Sequence, residues 1–184
     1  MCVQATTLPN YKNGSSGNNV YAIQYLLLII NPTIIFTAYC IATHNITIGL
    51  IEVFSFLLIR KYCGGYHCQS STVCLIFSAI MLIGIAWLSS FIKPSLYMFI
   101  VLIIADAELI IKGPVISVNH SVSDSEKKYY HRCLIGILAV FNIIIIAATV
   151  LHLYRTASCI SIVIIFCFIS HIACMTEKNR KLYY

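Results

Sequence analysis

Long runs of apolar residues, separated by short polar segments, account for most of this sequence. A helix needs about 20 apolar residues to cross a hydrocarbon core about 30 Å thick. Runs of suitable composition predict six helical segments, at residues 20–43, 46–59, 71–92, 95–111, 133–153 and 157–174. The pattern predicts an all-α, polytopic membrane protein whose residues 1–184 form a single integral membrane domain.

The second segment is the shortest, and it carries a charge. Residues 46–59 number about 14, fewer than a full crossing requires, and they include Glu52. Such a segment could be one arm of a re-entrant or interfacial hairpin instead of a complete span. The sequence therefore predicts between four and six true membrane spans.

The basic residues indicate which side of the membrane each polar segment faces, because Lys and Arg concentrate in short cytoplasmic loops. With the N-terminus inside, 10 of the 12 basic residues fall on the inner side, and only Lys93 and Arg155 fall outside. Both termini are therefore predicted to be cytoplasmic. The inner segments are then the polar N-terminal segment 1–19, the loop 60–70, the polar loop 112–132 and the tail 175–184.

Composition supports a membrane location and argues against other classes of protein. Apolar residues make up 60% of the chain, charged residues 10%, and mean hydropathy is +0.89. A soluble domain carries about 25% charged residues, and a globule of this size could not bury so large an apolar excess. The net charge of +6 is scattered between apolar runs, so nucleic-acid binding is not expected.

One inner polar segment combines several reactive side chains. His67, a potential base, precedes Cys74, and the pair Gly64-Gly65 precedes both. The two glycines allow a sharp reversal of the backbone. If the third helix begins near Ser71, Cys74 lies in its first turn, where unpaired N–H groups and the helix dipole favour a thiolate.

His67 and Cys74 could form a catalytic pair only if the chain folds back. On one continuous helix they would lie about 10 Å apart along the axis, whereas a nucleophile and its base must approach to about 2.6 to 3.2 Å. The alternatives are an interfacial histidine with a packed cysteine, or a zinc site that adds Cys63 and Cys68. Because the spacing lacks the short paired turns of zinc motifs, no metal or other cofactor is expected.

The pattern Arg60-x(3)-Gly64-Gly65-x-His67-x(6)-Cys74, set between apolar segments, resembles the accessory gene regulator B (AgrB) family. Members of this family are membrane cysteine endopeptidases that process bacterial quorum-sensing propeptides. The resemblance covers most of the chain and is most specific at these five positions.

The resemblance implies a role for each member of the pair. His67 would be the general base and Cys74 the nucleophile that attacks a peptide bond and releases the charged C-terminal tail of the propeptide. An internal cysteine of the substrate would then displace Cys74 from the resulting thioester and close a thiolactone ring. The reaction needs a site from which water is kept out, since hydrolysis of the thioester would give a linear product.

Further residues are candidates for binding the substrate. Arg60, Gly64 and Gly65 border the catalytic pair, and Arg60 could hold an acidic tail by a bidentate contact. Lys127 and Lys128, on the same side of the membrane, could bind the tail as well. The alternative for all three basic residues is an ordinary positive-inside anchor.

Acidic residues within the apolar segments are a separate signal, because ionisable groups at membrane depth are costly and often functional. Asp106, about 9 Å below the inner surface at helical rise, is the candidate for orienting His67. The alternative is a neutral acid hydrogen-bonded between helices, or a contact across a dimer. Glu52 could likewise be a functional residue or a structural acid of this kind.

The resemblance also implies partners and a location. The partner would be an AgrD-like signal-peptide precursor, the protein would form a homodimer in contact with membrane lipid, and its active site would face the cytoplasm of a bacterial cell. The competing function is a non-enzymatic membrane transporter or peptide exporter, in which Asp106 and Glu108 line a pathway.

Overall fold

A computed structural model describes residues 30–64, 71–114 and 124–182. Within these ranges the chain forms six helices and no strand, which confirms the all-α prediction. The helices are α1 (Ile30–Ala42), α2 (Ile46–Cys63), α3 (Ser71–Phe91), α4 (Leu96–Lys112), α5 (Asp124–Val150) and α6 (Tyr154–Leu182).

Helices α2, α5 and α6 extend beyond the apolar segments that predicted them. The helix α2 has 18 residues and ends at Cys63, because Gly64 leaves helical geometry with φ 76° and ψ −165°. Hydropathy marks only the apolar part of each helix, whereas the helical backbone continues into the polar residues that flank it. Parts of the segments predicted as loops 60–70 and 112–132 and tail 175–184 are therefore helical. At 1.5 Å per residue α2 is about 27 Å long, close to the length of a crossing.

Two similar turns join α1 to α2 and α5 to α6. In each, a histidine takes a left-handed conformation, with φ 54° at His44 and φ 60° at His152. The amide of the next residue then bonds five residues back, from Asn45 to Cys40 at 2.8 Å and from Leu153 to Ala148 at 2.8 Å. These are Schellman-type ends, which satisfy the last helical carbonyls while reversing the chain.

The turns α1–α2, α3–α4 and α5–α6 meet at one end of the bundle, here called the Arg155 end. Arg155 donates to Asn45 Oδ1 at 2.6 Å and to Ser90 Oγ at 2.9 Å. Ser158 Oγ donates to the carbonyl of Ile92 at 2.6 Å. The hairpin of α1 and α2 therefore reaches the same end as the other two turns, which is the geometry expected of segments that run through the whole bundle.

The opposite end, here called the basic end, holds the end of α2, the end of α4 and the start of α5. Tyr62 packs on Tyr130 with ring centroids 5.9 Å apart. His171 on α6 bonds to the carbonyl of Gly113, which follows α4. Most of the described basic residues lie at this end, and the side of the membrane that they face stays a prediction.

Helix α6 lies at the centre and packs against α2, α3, α4 and α5. Its buried side chains include Ile160, Ile164 and Cys167, whereas large apolar side chains on outer helices are exposed, such as Leu50 (68%) and Ile143 (66%). An apolar exterior is what contact with lipid requires. Among the described residues, Ser125–Val150 and Tyr154–Thr176 are long and apolar enough to cross a membrane.

Candidate active site and basic cavity

The predicted catalytic pair lies at the junction between α2 and α3. Cys74 is the fourth residue of α3 as described, so the predicted helical setting of this residue is confirmed. His67 and Gly65 lie outside the described residues, as does the side chain of Cys74. The contact between base and nucleophile therefore stays a prediction.

The backbone at Gly64 turns the chain out of α2 toward this junction. Its N–H caps the helix by donating to Arg60 O at 3.0 Å, and its φ of 76° with ψ of −165° belongs to a region that is open almost only to glycine. Helix α2 therefore ends at Gly64 in a conformation that favours a residue without Cβ, and the sharp reversal expected from Gly64-Gly65 stays a prediction.

Arg60 and its neighbours anchor the end of α2 at the basic end. The Arg60 guanidinium lies over the ring of Phe56, 5.3 Å from the centroid, and the Lys61 ammonium lies 5.3 Å from the centroid of Tyr62. Tyr62 in turn packs on Tyr130 of α5. The contact between Tyr62 and Tyr130 places the end of α2 beside the first turns of α5.

An open cavity of about 680 Å³ lies on α5 at the basic end, lined by Lys127, Lys128, His131 and Arg132. The four residues occupy positions i, i+1, i+4 and i+5, which share one face of a helix. Lys127 and Lys128 were predicted from the sequence to bind substrate, whereas His131 and Arg132 were not. The helical spacing of the four residues is the signal that could have identified His131 and Arg132.

Asp106 bonds to Asn142, which was not among the residues predicted from the sequence. Asn142 Nδ2 donates to Asp106 Oδ2 at 2.8 Å and lies 2.8 Å from Leu138 O in its own helix. The carboxyl of Asp106 is thus a polar link between α4 and α5, which corresponds to the alternative reading of an acid hydrogen-bonded between helices. Its second oxygen has no hydrogen-bond partner in the described part of the chain, and its predicted role toward His67 stays a prediction.

The other two acidic residues in apolar segments differ in their surroundings. Glu108 is paired with Lys112 at 2.7 Å, one turn further along α4. Glu52 is completely buried, and neither carboxyl oxygen has a hydrogen-bond partner among the residues described. Glu52 is therefore the acidic side chain whose burial the local structure leaves unexplained.

Gly113, at the end of α4, joins three helices at the basic end. His171 Nε2 lies 3.0 Å from its carbonyl oxygen, and the ring of His131 lies against its Cα, because a methyl group added there would be 3.0 Å from His131 Nδ1. The backbone of Gly113, with φ 65° and ψ −169°, is again restricted to glycine. His131, which lines the basic cavity, is therefore in contact with Gly113 at the end of α4.

Potential metal ligands do not cluster in the described ranges, where no group of three His, Cys, Asp or Glu side chains is placed to hold an ion. Of the four residues weighed as a zinc site, Cys63 is fully buried in α2. His67 and Cys68 lie outside the described residues, as does the side chain of Cys74.

Comparison with known proteins identifies the family. A model of the family described as accessory gene regulator B matches residues 10–171, a range that includes the pattern from Arg60 to Cys74, the basic cavity and His171. No curated protein and no solved structure gives a match. Since the matched range covers most of the chain, this membrane protein belongs to the accessory gene regulator B (AgrB) family.

Proposed function

We propose that this protein is a membrane-embedded cysteine endopeptidase that cleaves an autoinducing-peptide precursor and promotes its cyclisation. Membership of the AgrB family supports a role in the processing of quorum-sensing peptides. The observation that carries the more specific proposal is the family match across residues 10–171, within which His67 and Cys74 stand at the junction of α2 and α3.

In the proposed reaction His67 takes the proton of the Cys74 thiol. The thiolate attacks the carbonyl carbon of the scissile peptide bond, and the protonated imidazole returns the proton to the departing amine of the tail. The acyl group is then held on Cys74 as a thioester. The thiolate of a cysteine within the substrate attacks that thioester, forms the thiolactone and regenerates the Cys74 thiolate.

The basic cavity is the proposed binding site for the charged tail. Lys127 and Lys128 line it together with Arg132, and Tyr130 ties this part of α5 to the segment containing Arg60 and Gly64. A carboxylate-bearing tail in the cavity would be held by charge-assisted hydrogen bonds. The scissile bond, which precedes the tail, would then face the junction that carries Cys74.

The proposed setting is a bacterial cell membrane crossed several times, with the basic end in the cytoplasm. The arrangement of three turns at the Arg155 end supports crossing by the first two helices as well. An AgrD-like propeptide is the proposed partner, and a homodimer in lipid is the proposed assembly. A transporter or exporter is the second candidate, and buried Glu52 is the feature that favours it.

Co-expression with the propeptide, followed by mass spectrometry, tests the proposal. We expect Cys74→Ala and His67→Ala to abolish release of the tail, and wild-type enzyme to accumulate a hydroxylamine-sensitive acyl adduct on Cys74. Cys133→Ala is the matched control, since Cys133 is a partly exposed thiol near the same end. Release of the tail by Cys74→Ala would refute the enzymatic proposal and leave the exporter as the better candidate.

A further inference from the structure

His171 is a buried histidine with one hydrogen bond in the described part of the structure. It is 0% exposed on α6, and its Nε2 lies 3.0 Å from the carbonyl oxygen of Gly113. Because a carbonyl oxygen only accepts hydrogen bonds, Nε2 must carry the proton. The other ring nitrogen, Nδ1, has no partner among the described residues, so the bond to Gly113 is the polar contact that orients the ring.

Gly113 is held from two sides in a conformation that only glycine adopts readily. Its own N–H donates to Leu109 O at 3.0 Å, and its carbonyl accepts from His171. With φ 65° and ψ −169° the backbone lies in a sparsely populated region, which persists when surrounding contacts fix it. The bond from α6 is one of these contacts.

The ring of His131 rests on the backbone of Gly113. A methyl group on Gly113 would lie 3.0 Å from His131 Nδ1, closer than side chains normally approach, and in ordinary contact with its Cε1 at 3.5 Å. His131 also lines the basic cavity beside Lys127, Lys128 and Arg132. A shift of Gly113 is therefore transmitted to a wall of the cavity.

We propose that His171 is a positioning residue for the basic cavity. It holds Gly113, and through Gly113 it sets where His131 stands relative to the three cationic side chains. This inference rests on the proposed function, in which the cavity takes an acidic peptide tail. A correctly placed imidazole adds a donor to the cations, so His171 governs how tightly the tail is bound and not how fast the bond is broken.

Binding of a fluorescein-labelled peptide of six glutamates to the full Cys74→Ala chain in nanodiscs tests this inference. His171→Leu removes the donor, and we expect it to weaken binding about two- to tenfold, the range of one lost hydrogen bond. His171→Gln, whose Nε2 can reach the same carbonyl, should recover binding to within about twofold.

Ser158→Ala is the matched structural control. Ser158 also ties α6 to a backbone carbonyl just beyond a helix, that of Ile92, but at the opposite end of the bundle. It should lower thermal stability while leaving binding of the peptide unchanged. Comparable weakening by Ser158→Ala would show that His171→Leu acts through general stability, and would overturn the inference.

A double mutant separates positioning from other effects of His171. In a His131→Ala background, His171→Leu should add little further weakening, because the residue that it positions is gone. If the losses of binding free energy caused by His131→Ala and His171→Leu add in full, or if the parent chain does not bind the peptide, the inference is overturned.

Cleavage of the propeptide by chains that retain Cys74 is measured in parallel. His171→Leu should raise KM and leave kcat within about twofold, since it acts on binding. Tail release by Cys74→Ala would refute the proposed enzymatic function. The peptide-binding measurements would still test the positioning role of His171, so failure of one proposal can be distinguished from failure of the other.

Discussion

At the scale of single residues, the basic end depends on two glycines in backbone conformations that other residues avoid. Gly64 and Gly113 have nearly the same dihedral angles and each follows the last residue of a helix. Both end a helix at the basic end of the bundle. Substitution there changes the direction of the backbone, whereas substitution of an exposed helical glycine does not.

Gly64→Ala should slow cleavage of the propeptide about tenfold or more. The strained conformation costs an alanine about 1 to 3 kcal/mol, and the chain can relieve that strain by redirecting the segment that carries His67. Gly136→Ala is the matched control, since a methyl group there meets no atom within 4 Å. The initial rate of tail release is measured for both variants at equal amounts of folded protein. Equal rates for Gly64→Ala and wild type would show that the conformation of Gly64 is dispensable.

At the scale of helices, α1 and α2 approach closely where Gly49 faces Cys40. A methyl group on Gly49 would overlap Cys40 Sγ and lie 3.2 Å from its Cβ. Small residues at such a contact let two helix backbones approach within a membrane. Together with the left-handed turn at His44, this contact fixes the hairpin of α1 and α2.

Gly49→Ala should therefore destabilise the protein by about 1 to 3 kcal/mol, the usual cost of overpacking. A thermal-unfolding series in detergent should show a lower midpoint for this variant. The double variant with Cys40→Ala should recover most of the loss, because the overlapping sulfur is removed. Gly84→Ala, with open space around the added methyl, should match wild type. A loss that persists in the double variant would contradict this account of the contact.

At the scale of the whole molecule, the described charges separate between the two ends of a bundle built around α6. The cavity residues lie at the basic end, whereas Arg155 lies at the other end with Ser90 and Asn45. Since an excess of Lys and Arg marks the cytoplasmic side, the bundle has a predicted orientation that can be measured directly.

Labelling with a membrane-impermeant maleimide measures that orientation. Lys93→Cys, beyond the end of α3, should react in intact cells, and Lys127→Cys should react only after permeabilisation. The parent chain should show little labelling at the Arg155 end, because Cys40 and Cys159 there are only 3% and 0% exposed. Labelling of Lys127→Cys in intact cells would reverse the orientation and place the cavity outside.

The sequence by itself determined the helical class, the membrane setting, the separation of charges and the motif that contains His67 and Cys74. These are local properties, because hydropathy is summed over a single helix and the motif spans few residues. Gly64 is the clearest case: a glycine at this position suggested special backbone geometry, and its φ of 76° ends α2 there. The extra length of α2 was missed because polarity at Arg60 does not stop a helix.

Only the tertiary structure decided which side chains meet. The sequence placed Asp106 at membrane depth, but its bond to Asn142 depends on how α4 and α5 are rotated against each other. His131 and His171 are 40 residues apart in sequence, and their convergence on Gly113 joins three helices. Such contacts depend on the summed packing of whole helices around α6, and many weak contacts far apart in sequence decide that packing.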